Sequence, residues 1–466
     1  MNGMGFVVSI FLARLLEPSD FGLVAMVMVI IGIAGIFMDV GLGGALIQRR
    51  RVLPIHYSSV FFFNVAIGTL LTFMTFISAP LIAGFYHNEA LTPLAQAASF
   101  SFLVGAFSSV QTTKLRKELN YALITKTSLT ASATSGVVGI SLAFFGAGVW
   151  ALVAQTLTQG IVYNVIIWSV SRWKPTTQFS WKALLQLWAF GFRMFLSAFL
   201  DTVFSRLDTL IIGKLFEAAT LGFFNRAKSL DQMVIAYSSG SLMSVLFPVL
   251  SRVQNDLERF RQIIRKSLGI IVFITFMLLG GLYLVSHELI IMLYGEKWLR
   301  AVDYFRILVL SGFGYPVSAL LVNVLSSRGN SSAFLRLELY KKAIFGLNLA
   351  IGFLWGIDGY LYGLVLATVL AVYFNIIFAS KEILLPQWIF MKPIVIQMFI
   401  TLIVVTTVIY LNKDLNYSLF VMFVLKGGEF LVLYFLTNRF LAIDSYGYFV
   451  DEIGPLFKKF TKRMRH

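Results

Sequence analysis

Fourteen long apolar runs, separated by short polar loops, make up most of this 466-residue sequence. A run of roughly 20 apolar residues is long enough to cross the hydrocarbon core of a bilayer as an α-helix. The composition agrees, because 58% of the residues are hydrophobic and only 13% are charged. A soluble chain carries about 25% charged residues. The sequence therefore predicts an all-α polytopic membrane protein with about 14 transmembrane helices.

The positions of the basic residues explain the formal net charge of +16. Loops that follow even-numbered predicted helices, together with the C-terminal tail, hold 26 lysines and arginines, whereas loops that follow odd-numbered helices hold 4. This asymmetry is the positive-inside rule, so both termini are expected on the cytoplasmic side. The charge therefore reflects membrane topology, and no nucleic-acid partner is expected.

Several kinds of chemistry are disfavoured by composition. The chain has no cysteine, and its four histidines are far apart in sequence. Thiolate chemistry and cysteine metal sites are therefore excluded, and the histidines lack the spacing of a metal-binding motif. We expect neither catalytic residues nor a metal site, and no cofactor apart from a coupling H+ or Na+ gradient.

An internal repeat divides the chain into two similar parts. The stretch FLARLLEPSDFGL (11–23) matches IIGKLFEAATLGF (211–223), and Gly148 and Asn164 match Gly359 and Asn375 at an offset of 211. Because six helices separate the copies, both copies enter the membrane from the same side, which predicts a pseudo-two-fold axis along the membrane normal. The predicted parts are an N-lobe at 1–172 (helices 1–6), a C-lobe at 173–392 (helices 7–12), two extra helices at 393–440 and a basic cytoplasmic tail at 441–466. Helix 1, with only 13 residues, is expected to be incomplete.

Charged residues inside the apolar runs are the candidate functional residues, because such groups are costly in a membrane. Asp39 lies in predicted helix 2 (21–47) beside three glycines, where it either faces a partner or is hydrated near the interface. The glycines are expected to allow close packing or a bend. In the final helix, Lys426 and Glu429 have the spacing of an ion pair on one helix face.

Predicted helix 7 (184–213) contains four charged residues: Arg193, Asp201, Arg206 and Asp208. At 100° per residue, Arg193, Asp201 and Asp208 share one stripe, whereas Arg206 points elsewhere. The stripe indicates either a polar cavity or an ion-pair network between helices. Asn225 and Arg226 follow the next turn, at the outer interface or in the same polar lining.

The stretches FLARLLEPSDFGLVAM, DVGLGGALIQRR, IIGKLFEAATLGFFNRAKSL, LFPVLSRVQND and YGEKWLRAVDYFRIL resemble the bacterial polysaccharide exporters of the lipopolysaccharide and exopolysaccharide pathways. These proteins belong to the multidrug/oligosaccharidyl-lipid/polysaccharide exporter superfamily. The resemblance covers most of the chain. It implies a multi-pass inner-membrane flippase that moves undecaprenyl-pyrophosphate-linked oligosaccharides by alternating access of two lobes.

The same resemblance implies roles for the charged residues. Arginines would bind the pyrophosphate and acids would orient them or bind a coupling ion. The expected substrate-binding residues are Arg193, Arg206, Arg14, Asn225 and Arg226, and the expected acids are Asp39, Asp201 and Asp208. The expected partners are the lipid-linked oligosaccharide, membrane lipids and polysaccharide-assembly proteins.

Three other functions fit parts of the sequence. A cation-coupled drug exporter of the same superfamily would share the lobes. A membrane-bound polysaccharide polymerase or ligase would be expected to have sizeable outer loops, but the longest predicted here has about 15 residues. A structural scaffold leaves the charges of helix 7 unexplained. The sequence therefore favours a transporter and not an enzyme.

Overall fold

The computed structural model describes residues 3–171 and 173–452, with the side chains of 234–245 left aside. The described residues fold into α-helices and short 3-10 segments, with no β-strand among them, which confirms the predicted all-α class. Arg172 and most of the predicted basic tail, from residue 453 onward, lie outside the described residues. The helices are α1 (Gly3–Leu15), α2 (Pro18–Ala34), α3 (Leu42–Gln48), α4 (Pro54–Tyr86), α5 (Leu91–Lys117), α6 (Tyr121–Phe144), α7 (Val149–Val170), α8 (Trp181–Leu215), α9 (Ala218–Arg252), α10 (Leu257–Leu284), α11 (Ser286–Tyr294), α12 (Leu299–Gly312), α13 (Gly314–Ser327), α14 (Ser331–Ile351), α15 (Gly356–Ile383), α16 (Gln387–Leu411) and α17 (Leu419–Phe440).

Each predicted membrane span corresponds to a helix or to a broken pair of helices. Within the described residues, eleven helical segments are long and apolar enough to cross a membrane, and Gly3–Leu15 is a shorter apolar helix. Predicted helix 2 is divided between α2 and α3, and the predicted span at 302–326 is divided between α12 and α13. The short helix α11 was not predicted as a separate element.

The break in predicted helix 2 has a clear local cause. After α2, a 3-10 segment runs from Gly35 to Met38, and the chain then turns through Val40 and Gly41. Both residues have positive φ, 43° and 72°, a conformation that glycine adopts without strain. A side chain on Gly41 would also overlap with the carbonyl oxygen of Gly191 in α8. The glycines therefore provide both the bend and the close packing that the sequence predicted.

Contacts between Cα atoms divide the chain into two compact units, Met1–Asn225 and Arg226–His466. In the first unit, α4, α5, α6 and α7 pack as neighbours, and α8 packs against α2, α3 and α4. The lobe boundary predicted near residue 172 was drawn from the sequence repeat and stays a prediction.

The second unit is built around α10, which packs against α12, α13, α16 and α17. A buried polar network fixes the two C-terminal helices to α10. The hydroxyl of Tyr434 donates to the backbone carbonyl of Phe273 at 2.9 Å and lies 2.6 Å from Oε1 of Gln397. Gln397 in turn donates to Oδ1 of Asn438 at 2.6 Å. Helices α16 and α17 are therefore integral to this unit.

Lys426 and Glu429 of α17 do not form the predicted pair. Lys426 forms a salt bridge of 2.5 Å with Glu288 of α11, and Glu429 accepts a hydrogen bond of 2.5 Å from the side-chain amide of Asn412. The prediction was wrong because neighbouring helices offer each side chain a partner that spacing along one helix cannot reveal.

The repeated hairpins have matching boundaries. Helix α1 ends at Leu15 and α8 ends at Leu215, while α2 begins at Pro18 and α9 begins at Ala218. Each boundary differs by the predicted offset of 200. The match of Gly148 with Gly359 is shifted by three positions. Gly148 precedes α7 with a φ of 54°. The glycine with positive φ at the start of α15 is Gly356, with a φ of 75°.

Candidate functional site

Helix α8 carries the charged residues of predicted helix 7. The Ser180 hydroxyl caps its start by accepting a hydrogen bond from the backbone N–H of Ala183 at 3.3 Å. The helix has 35 residues, so at 1.5 Å per residue it extends about 52 Å, well beyond a hydrocarbon core of about 30 Å. Gly191 near one end and Gly213 near the other are buried, so α8 contacts its own unit most closely at its two ends.

Between these ends, the exposed surface of α8 includes two adjacent strips, with Met194 and Ala198 also exposed beside them. One strip is apolar and contains Phe192, Leu196, Leu200 and Phe204, each between 45% and 50% exposed. The adjacent strip, which we call the polar strip, contains Arg193, Ser197, Asp201 and Ser205, all exposed at intervals of four residues. Polar side chains in a membrane span face water or a polar ligand, whereas the apolar strip suits lipid. The arrangement favours the polar-cavity interpretation over an ion-pair network.

The charges on the polar strip are too far apart to neutralise one another. Arg193 and Asp201 are eight residues apart, which corresponds to about 12 Å along the helix axis. Asp208 lies near the same stripe, and its Oδ1 accepts hydrogen bonds from the backbone N–H and the hydroxyl of Thr209 at 2.6 and 3.1 Å. Ser197 and Ser205 were missed by the sequence analysis, although their spacing of four residues from Arg193 and Asp201 was a usable signal.

Arg206 lies on a different face of α8, as the helical angle predicted. Its guanidinium carbon packs against Gly32 of α2, where an added Cβ would lie 2.7 Å away. On the same side, Phe37 makes edge-to-face contacts with Phe195 and Phe199 at centroid distances of 5.0 and 5.5 Å. Arg206 is therefore half-buried between helices and does not extend the polar strip.

Asp39 faces protein partners. Its carboxylate accepts hydrogen bonds from the backbone N–H of Gly43, at 2.9 Å to Oδ2, and from the side-chain amide of Asn64, at 3.1 Å to Oδ1. Gly43 is in the first turn of α3, so the negative charge lies at the positive end of the helix dipole. The contacts of Asp39 are those of a residue that caps α3.

The other end of α3 is capped by a residue that the sequence analysis did not single out. The ammonium group of Lys117, at the end of α5, donates to the backbone carbonyls of Leu46 and Arg49. A cation at a helix C-terminus is favourable for the same electrostatic reason as an anion at the N-terminus. This short helix is therefore held by opposite charges at its two ends.

The remaining predicted site residues lie near the turns of the repeated hairpins. Arg14 is exposed in the last turn of α1. Asn225 lies in α9 at the end of the first unit, and its side-chain nitrogen is buried without a hydrogen-bond partner in the described part of the chain. Arg226 belongs to the second unit, where its guanidinium carbon lies 5.4 Å from the ring centroid of Tyr294 and 5.8 Å from that of Trp298. Of the eight predicted residues, only Arg193 and Asp201 fall on the polar strip.

Comparison with known proteins shows the family. Residues 11–303, which are more than half of the chain, match the family described as polysaccharide biosynthesis protein. The chain belongs to this family. The resemblance drawn from the short sequence stretches is therefore confirmed.

Among its relatives, the chain is 24% identical over 458 residues to an uncharacterized membrane protein in the cps region of Klebsiella pneumoniae, with 96% of this chain and 94% of that protein covered. It is also 26% identical over 332 residues to the lipopolysaccharide biosynthesis protein WzxC of Escherichia coli, with 69% and 66% covered. A structure of the lipid II flippase MurJ, in an inward closed conformation, is similar with a TM-score of 0.72 and 17% identity, covering 94% of this chain and 97% of that one. This likeness shows that the two proteins share a fold, and the chain is a multi-pass membrane protein.

Proposed function

We propose that this protein is a flippase of the bacterial inner membrane that translocates oligosaccharide units linked to undecaprenyl pyrophosphate. Membership of the polysaccharide biosynthesis family supports this function. The Escherichia coli relative WzxC is named as a lipopolysaccharide biosynthesis protein, and the chain shares the fold of a protein named as a lipid II flippase. The glycan would belong to a lipopolysaccharide or an exopolysaccharide, and the protein would act as a transporter and not as an enzyme.

The single observation that carries this proposal is the polar strip of α8 beside its apolar strip. A lipid-linked oligosaccharide has a charged, hydrated head and an apolar tail, and α8 exposes a surface suited to each. Arg193 would bind the pyrophosphate, because a guanidinium donates two parallel hydrogen bonds to phosphate oxygens. Asp201 would orient that arginine or bind a coupling ion, and Ser197 and Ser205 would bind sugar hydroxyls.

Transport would proceed by alternating exposure of the polar strip to the two sides of the membrane, driven by a gradient of H+ or Na+. The basic loops support an orientation with both termini in the cytoplasm. Proteins that supply and polymerise the oligosaccharide units are the expected partners. Arg14, Arg206, Asn225 and Arg226 lie apart from the strip, and their contact with the substrate stays a prediction.

Substitution of Arg193 tests the function. In cells that lack the native exporter, Arg193→Ala should abolish export of the lipid-linked glycan, and Arg193→Lys should restore only part of it, because lysine cannot make the bidentate contact. A charge-assisted hydrogen bond contributes about 1.5–3 kcal/mol. The affinity of the Arg193→Ala variant for the substrate should therefore fall by roughly ten- to a hundredfold.

Lys182→Ala is the matched control, since Lys182 is exposed in the first turn of the same helix but lies outside the polar strip. Its export should equal that of the unchanged protein. Full export by Arg193→Ala would contradict the site. Transport of cationic dyes by the purified protein, without transport of the lipid-linked glycan, would identify a drug exporter instead.

A further inference from the structure

Asp231 is a buried acid that the predicted site does not include. It lies in the fourth turn of α9 and is only 7% exposed. Ala227 and Phe224, one and two turns earlier on the same helix face, are 0% and 1% exposed. Asp231 therefore occupies a core position in an apolar face, where a hydrophobic residue would be expected.

The surroundings of Asp231 offer little compensation for a negative charge. Its Oδ1 is buried and has no hydrogen-bond partner among the described residues. The same atom faces Gly312 at the end of α12, where an added Cβ would lie 3.2 Å away, and Leu279 of α10 lies beside Gly312. The absence of a side chain at Gly312 provides the space in which the carboxyl group fits.

The charged groups on the neighbouring helices are few. On α9, Lys228 is one turn before Asp231 and acts on it electrostatically. On α12, the charged residue nearest to Gly312 in sequence is Arg306, which donates to the hydroxyl of Ser286 at 2.8 Å. Residues 267–284 of α10 and the whole of α13 contain no charged residue.

An ionised carboxylate in such a position is costly, whereas a protonated carboxyl group is neutral. Ionisable residues buried in membrane proteins commonly mark proton relays, because protonation and hydration change together.

We propose that Asp231 is a proton-binding site, with H+ as its ligand. The neutral carboxyl group, formed when Asp231 takes a proton from water, favours the buried packing against Gly312. Loss of that proton favours a state in which the carboxylate is hydrated. The link to transport rests on the proposed function, but proton binding itself does not.

Infrared spectroscopy of the purified full chain in lipid nanodiscs tests the proposal directly. A protonated carboxyl group gives a C=O stretching band that shifts in D2O, and we expect this band to titrate with pH. It should disappear in Asp231→Asn and remain in Asp303→Asn, a matched control in which an exposed acid of α12 is changed. Retention of the band in Asp231→Asn, or no such band in the unchanged protein, would overturn the assignment. Loss of the band on addition of Na+ at constant pH would identify a sodium site instead and would also overturn it.

Two further measurements keep the outcomes distinct. If Asp231→Asn does not fold, Asp231→Glu should retain a carboxyl band at a shifted frequency, and an unshifted band would contradict the proposal. In proteoliposomes, Asp231→Asn should lose the stimulation of lipid-linked glycan transport by a pH gradient. Absence of all transport in the unchanged protein, with the infrared result as expected, would contradict the proposed flippase function and leave the proton site standing.

Discussion

Gly22 and Gly222 occupy equivalent positions in the two repeated hairpins and pack reciprocally. A side chain on Gly22 would overlap with the backbone carbonyl of Ala218, and a side chain on Gly222 would overlap with that of Pro18. Pro18 and Ala218 are themselves separated by the repeat offset of 200, so each glycine contacts the residue that begins the other copy's second helix. The two copies of the repeat therefore meet through backbone contact, with the reciprocity of a local two-fold axis.

This contact predicts that neither glycine tolerates a side chain. Gly22→Ala and Gly222→Ala should each lower the free energy of unfolding by about 1–3 kcal/mol, because overpacking forces the helices apart. Thermal unfolding in detergent, followed by circular dichroism, measures the change. Gly84→Ala is the control, since an added Cβ there meets nothing within 4 Å. Equal unfolding temperatures for all three variants would show that the hairpins separate without cost.

Asp39 offers a test that separates capping from ion coupling. Asp39→Ala should destabilise the protein by roughly 0.5–2 kcal/mol, because the N-terminus of α3 loses its acceptor. Asp39→Asn keeps an oxygen that accepts from Gly43 and should remain close to the unchanged protein in stability and in transport. The two variants are compared by thermal unfolding and by glycan export. A stable Asp39→Asn variant that exports nothing would show that the carboxylate has the coupling role predicted from the sequence.

The hydrogen-bond network around Tyr434 predicts that loss of its hydroxyl lowers the free energy of unfolding and leaves the fold unchanged. Tyr434→Phe removes a hydroxyl that contacts Gln397 and the carbonyl of Phe273, which leaves a buried acceptor unsatisfied. The expected cost is about 1–3 kcal/mol, measured by thermal unfolding. Tyr417→Phe should be neutral, because Tyr417 is 55% exposed. If both substitutions have the same effect, the network does not contribute to the packing of α16 and α17.

Removing one partner of the salt bridge between Lys426 and Glu288 should lower the free energy of unfolding more than removing both charges. Glu288 is 3% exposed, so Lys426→Met leaves a buried charge without its partner, at an expected cost of about 3–5 kcal/mol. Adding Glu288→Gln should recover much of that loss, because the isolated charge is removed. Lys413→Met, at an exposed position, is the control for loss of a lysine. A double variant no more stable than Lys426→Met would contradict this explanation.

Helix positions and site residues differed in how far they could be predicted. Apolar run length located every predicted span on a helix, and helical periodicity placed Arg193 and Asp201 on one stripe and Arg206 on another. Periodicity did not reveal the partner of Lys426, which proved to be Glu288 on a distant helix. It also could not distinguish Asp39, which caps a neighbouring helix, from Asp201, which is exposed.

By itself, the sequence determined the membrane-spanning helical class, the repeat and the family resemblance. These are properties of local hydropathy, loop charge and short motifs, which do not depend on which helices become neighbours. The tertiary structure decided the partners of Asp39 and Lys426, the burial of Asp231 and the contact between Gly22 and Gly222. Each of these depends on where distant helices approach one another, because a charge in a membrane is stabilised or penalised by the groups packed around it.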